Sequence, residues 1–580
     1  MKNSNRYIAV ILVTLCLFLG VLGRLFYVVV IAKDDIYAMA QNQISKEIII
    51  PAKRGDILDR NGSLLASSTE AYRVDADLVT FRKLLVSKKR TADYYAGPLA
   101  EILGVDEAVI LEKLTADNSG TIIKRKLEKS VIDSLRAYID EENINFLLIN
   151  YDNVRYYPNG NYLSHVLGSV NVDGSGVMGI EYYFNESLKG VDGIKIAEVD
   201  KKNNELPYTS VVKTNAIDGK KLVLSIDERV QYLIENIADK AMKEHDAAGV
   251  TIIVSDPKTG GILGLVNSPD YDPNNPYGDL SQEDFNEVTR NAAVNDAYEP
   301  GSTFKIVTFA AALEKGVVSE GDHYYCPGFI YVDGVRVNCS KREGHGDQSL
   351  AEVLKNSCNV GTILIAQELG KEKLNEYVKL FGFGQKTGID LPGETTGIIF
   401  NTEAMKNIDL ATASIGQGNI VSPIQILSAM NTIANKGIKN KLHLVDKLIN
   451  VDNDGMTISE EAIFNEEGER VISESTSDRM MKLLYNAIGA NKTSQAYSEE
   501  IEIFGKTGTA QKIVTDENGK KGYSDTEYIA SFIGGAPASD PKVTVLVIVD
   551  YPKDYIFGGL VASPIAKEII LELDNYLSLD

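Results

Sequence analysis

From Tyr7 to Ile31 apolar residues follow one another almost without a break, interrupted only by Thr14 and Arg24. In helical form such a run exceeds the roughly 20 residues needed to cross a hydrocarbon layer. The pattern therefore predicts one membrane-spanning helix over residues 7–31, behind a short tail of residues 1–6. A cleaved leader is the alternative, because Ala38-Met39-Ala40 has the small-x-small form of a cleavage site. The apolar run is, however, much longer than the roughly 7–15 residues of a leader's core. Lys2 and Arg6 precede the span, while Asp34 and Asp35 follow Lys33. The positive-inside tendency then expects a cytoplasmic N-terminus, with everything after the span outside.

Beyond the span the pattern breaks into shorter pieces. Ile48–Ile50 reads as extended, and Asn61-Gly62 is a tight-turn signal, so a strand and a hairpin fit there. Residues 95–115 and 129–142 place apolar side chains at helical spacing and predict a small helical insertion. Arg155–Gly160 and Gly176–Glu181 read as turns between extended segments. Residues 32–215 thus form a β-rich, mixed pedestal without chemistry of its own.

A second domain is expected over residues 220–580. Leu222–Ile226 reads as a strand, and Asp227 can cap a helix carrying Val230, Leu233, Ile234 and Ile237 at helical spacing. Thr251–Val254 and Ile262–Val266 flank turn chemistry at Asp256–Gly261. Strands at 501–504, 528–534 and 543–549 precede a last helix capped by Ser563 and opened by Pro564. Strands from both ends would share one sheet, with most helices between them in sequence. The predicted class is α/β (α+β), a layered domain.

Composition changes this picture little. The chain has 580 residues and a formal charge of −22, from 59 Lys and Arg against 81 Asp and Glu. No long basic run is present, which argues against a nucleic-acid partner. Of four cysteines, Cys16 sits in the apolar run. The other three, Cys326, Cys339 and Cys358, are an odd number and do not resemble a disulfide framework.

Three short strings carry the chemistry. Ser302-Thr-Phe-Lys305 follows Glu299-Pro-Gly301 and opens a strong helix former. Ser302 would be a nucleophile in the first helical turn, where the backbone dipole favours an incipient alkoxide. Lys305, three residues on, shares its face and would act as base once burial lowers its pKa. A bare Ser-x-x-Lys recurs by chance roughly two or three times in such a length, so the other strings matter. Ser357-Cys-Asn359 follows a helical stretch: Ser357 could relay a proton toward the leaving amine, and Asn359 could hold Lys305 or a substrate amide. Lys506-Thr507-Gly508-Thr509 would clamp a carboxylate. Lys-Thr-Gly also occurs at Lys258 and Lys386, in a turn and a Gly-rich loop, and both copies read as structural. Only Lys506 adjoins an extended segment that can present its groups along a cleft. In that order the strings make an acyl-transfer kit.

Cys326, Cys339, His345 and Cys358 fall close together in sequence. Three thiolates and an imidazole make a closed tetrahedral zinc set. The alternative is a Cys326–Cys339 disulfide with Cys358 as buried filler; His323 and Asp347 are rival ligands. A zinc here would be structural, since the acyl transfer itself needs no cofactor.

These strings resemble the class B penicillin-binding proteins, membrane-anchored peptidoglycan D,D-transpeptidases, over essentially the whole chain. Further likeness lies in Arg54–Gly62, Arg155–Gly160 with His165–Gly168, Gly176–Glu181, and Ile415–Gly418 with Ser422–Gln425. The last stretch has no role in the reading from spacing alone. The resemblance implies a roughly five-stranded sheet between helical layers, behind a dimerisation-type pedestal. It implies a stem peptide ending in D-Ala-D-Ala as substrate, an ester on Ser302, and a neighbouring stem's amine as acceptor. It further implies an oxyanion hole from the Ser302 and Thr509 N–H groups, carboxylate binding by Lys506, Thr507 and Thr509, and inhibition by β-lactams. Some family members hold zinc in the region of the second motif. No glycosyltransferase region is expected, so a membrane glycosyltransferase would be a partner in cell-wall synthesis. A D,D-carboxypeptidase or β-lactamase-like hydrolase, a β-lactam sensor, and a non-catalytic scaffold are the alternatives.

Overall fold

The computed structural model describes residues 2–34, 45–198, 210–452, 455–464, 467–515 and 521–579. Its contacts divide into two compact units. One comprises Met1–Lys53, Thr69–Val154 and Gly190–Asp218; the other comprises Arg54–Ser68, Arg155–Lys189 and Gly219–Asp580. The expected pedestal range thus shares two of its segments with the second unit.

In the first unit the apolar run is a helix, Lys2–Phe26, continued by a π-helical turn, Tyr27–Ile31. Arg6–Ile31 is 26 residues long, has a mean hydropathy of 2.5, and has no residue buried against protein. At about 1.5 Å per residue it is longer than a bilayer's hydrocarbon is thick. Ala38–Ala40 lies outside the described residues. The helical insertion exists, but 95–115 is two helices, Asp93–Leu103 and Glu107–Thr115, because Gly104 turns left-handed and ends the first. These pack with Leu78–Lys88 and Lys129–Glu142 around Phe81, Tyr95 and Phe146. Ser45–Ile50, Gly193–Glu198 and Val211–Thr214 form a small antiparallel sheet.

The second unit is built on five antiparallel strands. They are β1 (Gly249–Ser255), β2 (Ile262–Ser268), β3 (Phe504–Thr515), β4 (Lys521–Ala536) and β5 (Val543–Asp550), in the order β2-β1-β5-β4-β3. Strands from both ends of the sequence do share the sheet. Alternate residues face opposite ways along a strand, and here both faces are covered. Ile252, Val254, Val545 and Val547 point toward α1 (Glu228–His245) and the C-terminal helix Ala562–Leu577, where Val230, Ile234, Ile569 and Leu573 complete one core. Ile253 and Leu546 point the other way, into a core with Phe304, Phe309, Ile426 and Met430. That second layer contains α2 (Lys305–Glu314), α3 (Asn359–Leu369) and α4 (Pro423–Ala434).

Asp227 caps α1 as expected, accepting from Arg229 N–H. Two details differ. The strand read at 222–226 is Lys221–Leu224, and it pairs with Val445–Val451 and Ile57–Leu58 instead of joining the five-stranded sheet. A short apolar run fits any buried ladder, and only tertiary contacts choose between them. The last helix begins at Ala562, so Ser563 is a buried first-turn residue and caps nothing.

Candidate active site

Ser302 lies in a 3-10 turn, Gly301–Phe304, that feeds directly into α2. Thr303 Oγ1 donates to Pro300 O at 2.8 Å and fixes this turn from inside. Every residue of α2 from Lys305 to Leu313 is buried, so the lysine amine is delivered into the protein interior.

Ser357 occupies the corner between two helices. Leu350–Lys355 opens with a capping box, Ser349 with Glu352, and ends just before the motif; Cys358 then caps α3. Between them Ser357 adopts φ +50°, a left-handed conformation costly for a residue with a side chain. Backbone strain of this kind concentrates at functional sites.

Strand β3 brings the third string. Lys506, Thr507 and Thr509 pair with Ile533, Phe532 and Ala530 of β4. Gly508 is what lets this strand approach the nucleophile's turn. A Cβ there would meet Ser531 Oγ at 2.4 Å, Thr303 Cγ2 at 2.9 Å and Pro300 O at 3.2 Å. No other residue fits.

The side chains converge on one hydroxyl. Ser357 Oγ donates to Ser302 Oγ at 2.8 Å. Lys506 Nζ donates to Ser357 Oγ at 3.0 Å and to Thr507 O at 2.8 Å. Lys305 Nζ donates to Ser357 O at 2.7 Å, Asn359 Oδ1 at 2.8 Å and Ser357 Oγ at 3.3 Å. The spacing of three expected Lys305 to meet Ser302 directly; the structure connects them through Ser357. Asn359 does hold Lys305, and its Nδ2 donates to Asn338 O at 3.2 Å. Gly558 N–H donates to Thr509 Oγ1 at 3.0 Å.

Both lysines are buried without a carboxylate partner among the described residues. Burial pulls the Lys305 ammonium down to about 8, against an opposing pull from the Cys358 and Cys339 sulfurs. Lys506 is also held well below its ordinary value, first by burial and then by the charge of Lys305. Two ammonium groups around one hydroxyl repel, and the site favours holding one of them neutral.

The extra Lys-Thr-Gly copies are elsewhere. Lys258 forms an ion pair with Asp540 at 2.7 Å at the end of the β1–β2 turn. Thr387 donates to Glu394 from both its N–H and its hydroxyl, at 2.6 and 2.7 Å, closing a loop.

Cys326, Cys339, His345 and Cys358 do come together, with their donor atoms all within 4.8 Å of one another. Cys339 Sγ is 3.8 Å from Cys358 Sγ and 3.6 Å from His345 Nδ1. Zinc–sulfur bonds of about 2.3 Å in a tetrahedron put two sulfurs about 3.8 Å apart, the separation of Cys339 Sγ and Cys358 Sγ. All three cysteines are free thiols, and no disulfide joins Cys326 to Cys339. The rival ligands His323 and Asp347 are exposed and bonded to each other at 2.9 Å, outside the cluster. Cys339 is held well below an ordinary thiol by its bond with Cys358 and by the N–H groups of Asn359, Val360 and Lys341.

Sequence spacing gave no role to Ile415–Gly418. The structure packs it against the nucleophile: Gly301 N–H donates to Gly416 O at 3.0 Å, and Gly418 N–H donates to Glu299 Oε1 at 2.8 Å. Its signal was a pair of glycines just past an apolar helix, which spacing alone reads as a turn.

Comparison with known proteins agrees with this geometry. Residues 250–571 match the penicillin-binding protein transpeptidase domain, and residues 49–224 match the penicillin-binding protein dimerisation domain. Stage V sporulation protein D of Bacillus subtilis is 36% identical over 98% of this chain and 86% of its own. A probable peptidoglycan D,D-transpeptidase PenA of Neisseria gonorrhoeae is 30% identical over 98% of this chain and 92% of its own. Among solved structures, a peptidoglycan synthetase from Bifidobacterium adolescentis superposes with a TM-score of 0.71, at 25% identity over 92% of this chain and 97% of that one. Penicillin-binding protein 3 of Mycobacterium tuberculosis complexed with aztreonam gives 0.68, with the same identity and coverages. With a dimerisation domain, a transpeptidase domain and the Ser302–Ser357–Lys506 constellation in one chain, the protein belongs to the class B penicillin-binding proteins.

Proposed function

We propose that this enzyme cross-links peptidoglycan stem peptides through an ester on Ser302, and that β-lactams block it by acylating the same oxygen with their own ring carbonyl. The observation that carries the reading is the convergence of Lys305, Lys506 and Ser302 on Ser357 Oγ. Ser302 Oγ attacks the penultimate D-Ala carbonyl. Its proton passes through the Ser357 hydroxyl, which can turn to donate or accept, to a neutral Lys305. The N–H groups of Ser302 and Thr509 hold the developing oxyanion. Ser357 then returns a proton to the departing amine, and D-Ala leaves. An amine on a second stem attacks the ester, the new peptide bond forms, and Ser302 regains its proton.

Substrate binding prepares the base. The terminal carboxylate, held by Lys506, Thr507 and Thr509 beside Gly508, favours the charged form of Lys506. That charge in turn holds Lys305 neutral, because the two amines repel across Ser357. The buried lysines thus exchange one proton's worth of charge as the substrate arrives.

Three further parts belong to the proposal. The helix over Arg6–Ile31 anchors the chain, with the N-terminus in the cytoplasm and the catalytic unit outside, following Lys2 and Arg6. A separate membrane glycosyltransferase supplies the glycan strands. Cys326, Cys339, His345 and Cys358 hold a structural zinc, which would brace the wall carrying Ser357 and Asn359 and take no part in the chemistry.

Fluorescent penicillin on the purified full chain tests the core of this. Wild type should be labelled at Ser302 and Ser302→Ala should not; label at another residue, or on Ser302→Ala, refutes it. Rapid loss of label would favour a hydrolase over a transpeptidase. Metal analysis of the same preparation should find about one zinc per chain, reduced in Cys339→Ser; a metal-free wild type with full activity removes the zinc.

A further inference from the structure

Glu299 is 6% exposed and sits three residues before the nucleophile. No basic side chain forms an ion pair with it among the described residues. Burial raises its pKa, since nothing nearby offsets the loss of water with a positive charge. A buried carboxylate without a cation is costly to keep, and its remaining contacts are therefore informative.

Both of its described bonds fall on one oxygen. Gly418 N–H donates to Glu299 Oε1 at 2.8 Å, and Tyr523 OH donates to the same atom at 3.0 Å. Gly418 belongs to the stretch between the helix Asn407–Ser414 and α4. Tyr523 belongs to the outer half of the β3–β4 hairpin, opposite Ile513. Thr509 and Lys506 are on the inner half of that hairpin. One oxygen therefore joins three elements that border the reacting serine.

The surroundings make the joint tight. Gly301 N–H donates to Gly416 O at 3.0 Å, and a Cβ on Gly416 would meet Gly301 O at 2.0 Å. Tyr298 and Val421 exchange two backbone bonds at 2.9 Å, one residue before Glu299. On the strand side, a Cβ on Gly301 would meet Thr509 O at 3.0 Å. The turn bearing Ser302 is therefore gripped by the 415–421 stretch on one flank and by the hairpin on the other. Glu299 touches both.

We propose that Glu299 is a positioning residue for the acyl transfer: through Gly418 and Tyr523 it sets the spacing between the Ser302 turn, the 415–421 stretch and the β3–β4 hairpin. This rests on the transpeptidase reading above. It acts by geometry and touches no reacting atom. A misplacement of about 1 Å in such a site costs on the order of a hundredfold in rate.

The test uses the full chain with Glu299→Ala, Glu299→Gln, Tyr523→Phe and the Glu299→Ala/Tyr523→Phe double variant. The readouts are the second-order acylation rate with fluorescent penicillin, per molecule labelled at end point, D-Ala release from a stem peptide, and Tm. Glu299→Ala should slow acylation by about 10- to 100-fold, with the loss in kcat of D-Ala release and little change in KM. Glu299→Gln, whose amide oxygen accepts the same two bonds, should stay within about threefold of wild type. Tyr523→Phe should cost about three- to tenfold in the wild-type background and nothing further in Glu299→Ala, because the shared acceptor is already gone.

An unchanged rate in Glu299→Ala, a Glu299→Gln as slow as the alanine variant, or an equal Tyr523→Phe effect in both backgrounds would each overturn the proposal. A fall in Tm with unchanged rates would show a role in folding alone and overturn it too. If Glu299→Ala does not fold, Tyr523→Phe and Glu299→Gln decide: a wild-type rate in the first, or a large loss in the second, refutes the idea. Wild type that fails to label at Ser302 would instead refute the transpeptidase reading itself.

Discussion

Among the charged side chains buried in the second unit, two groups are made on opposite plans. Around Glu181, fully buried, Arg54 Nε donates to one carboxylate oxygen at 2.5 Å and Arg155 Nε to the other at 2.6 Å. Arg54 also donates to Glu181 O at 2.7 Å and Asn185 Oδ1 at 2.9 Å, and Arg155 donates to Gly55 O at 2.8 Å. Opposite charges meet there with several of their polar atoms bonded. Around Ser357 two like charges meet, and no carboxylate answers them among the described residues. The first arrangement holds two segments of chain, Arg54–Ser68 and Arg155–Lys189, in place. The second sacrifices charge balance and leaves an amine able to take a proton. At Glu181 opposite charges in balance make a joint; at Ser357 two unbalanced amines make a base.

Replacing the base should separate rate from stability most widely. Lys305→Met removes a buried amine and keeps a side chain of similar length. Acylation by fluorescent penicillin should fall by about 10²- to 10⁴-fold, the range of general-base assistance. Thermal stability should fall far less, since the lost amine had no counter-charge and only its hydrogen bonds to Ser357 and Asn359 go with it. The pH profile supplies the sign. Lys305 serves when neutral, so wild-type acylation should be slow below its pKa of about 8 and rise as pH increases through it. Lys305→Met should lose that rise. A variant that melts much earlier but acylates at the wild-type rate would make Lys305 a structural residue and erase the contrast.

How much of this was legible in the sequence depended on whether a signal was local. The strings at Ser302, Ser357 and Lys506 were readable because each joins a residue type to a local context, a helix start, a helix end and a strand. The four cysteine and histidine donors were readable because few other residue types make such a set. Short apolar runs bounded by turn chemistry placed β1, β2, β4 and β5, since strands buried on both faces are continuous apolar stretches. What failed was long-range. Leu222–Ile226 looks like any buried strand, and nothing local says which sheet it joins. The relay through Ser357 escaped the i,i+3 argument because a corner at φ +50°, 52 residues away from Lys305, interposes a hydroxyl. Arg54, Arg155 and Glu181 were read as scaffold turns, since nothing in each segment reveals that three distant charges share one buried point.

That buried point offers the second, smaller test of the comparison. Glu181→Gln leaves two guanidinium groups in the interior with no counter-charge. Breaking a buried ionic group this way costs about 3–5 kcal/mol, seen as a lower midpoint in denaturant unfolding. Arg155→Met should cost less, about 1–3 kcal/mol, because Glu181 keeps Arg54 as its partner and only the bonds of Arg155 are lost. The order follows from charge: removing the one anion leaves two like charges, whereas removing one cation leaves a neutral pair. Neither change touches Ser357, so acylation per labelled molecule should stay within about twofold of wild type, as for other substitutions outside the reacting groups. Equal losses for the two variants would mean that packing, not charge pairing, holds the joint. A rate that fell as far as in Lys305→Met would join the two clusters into one functional unit, and the division between joint and base would fail.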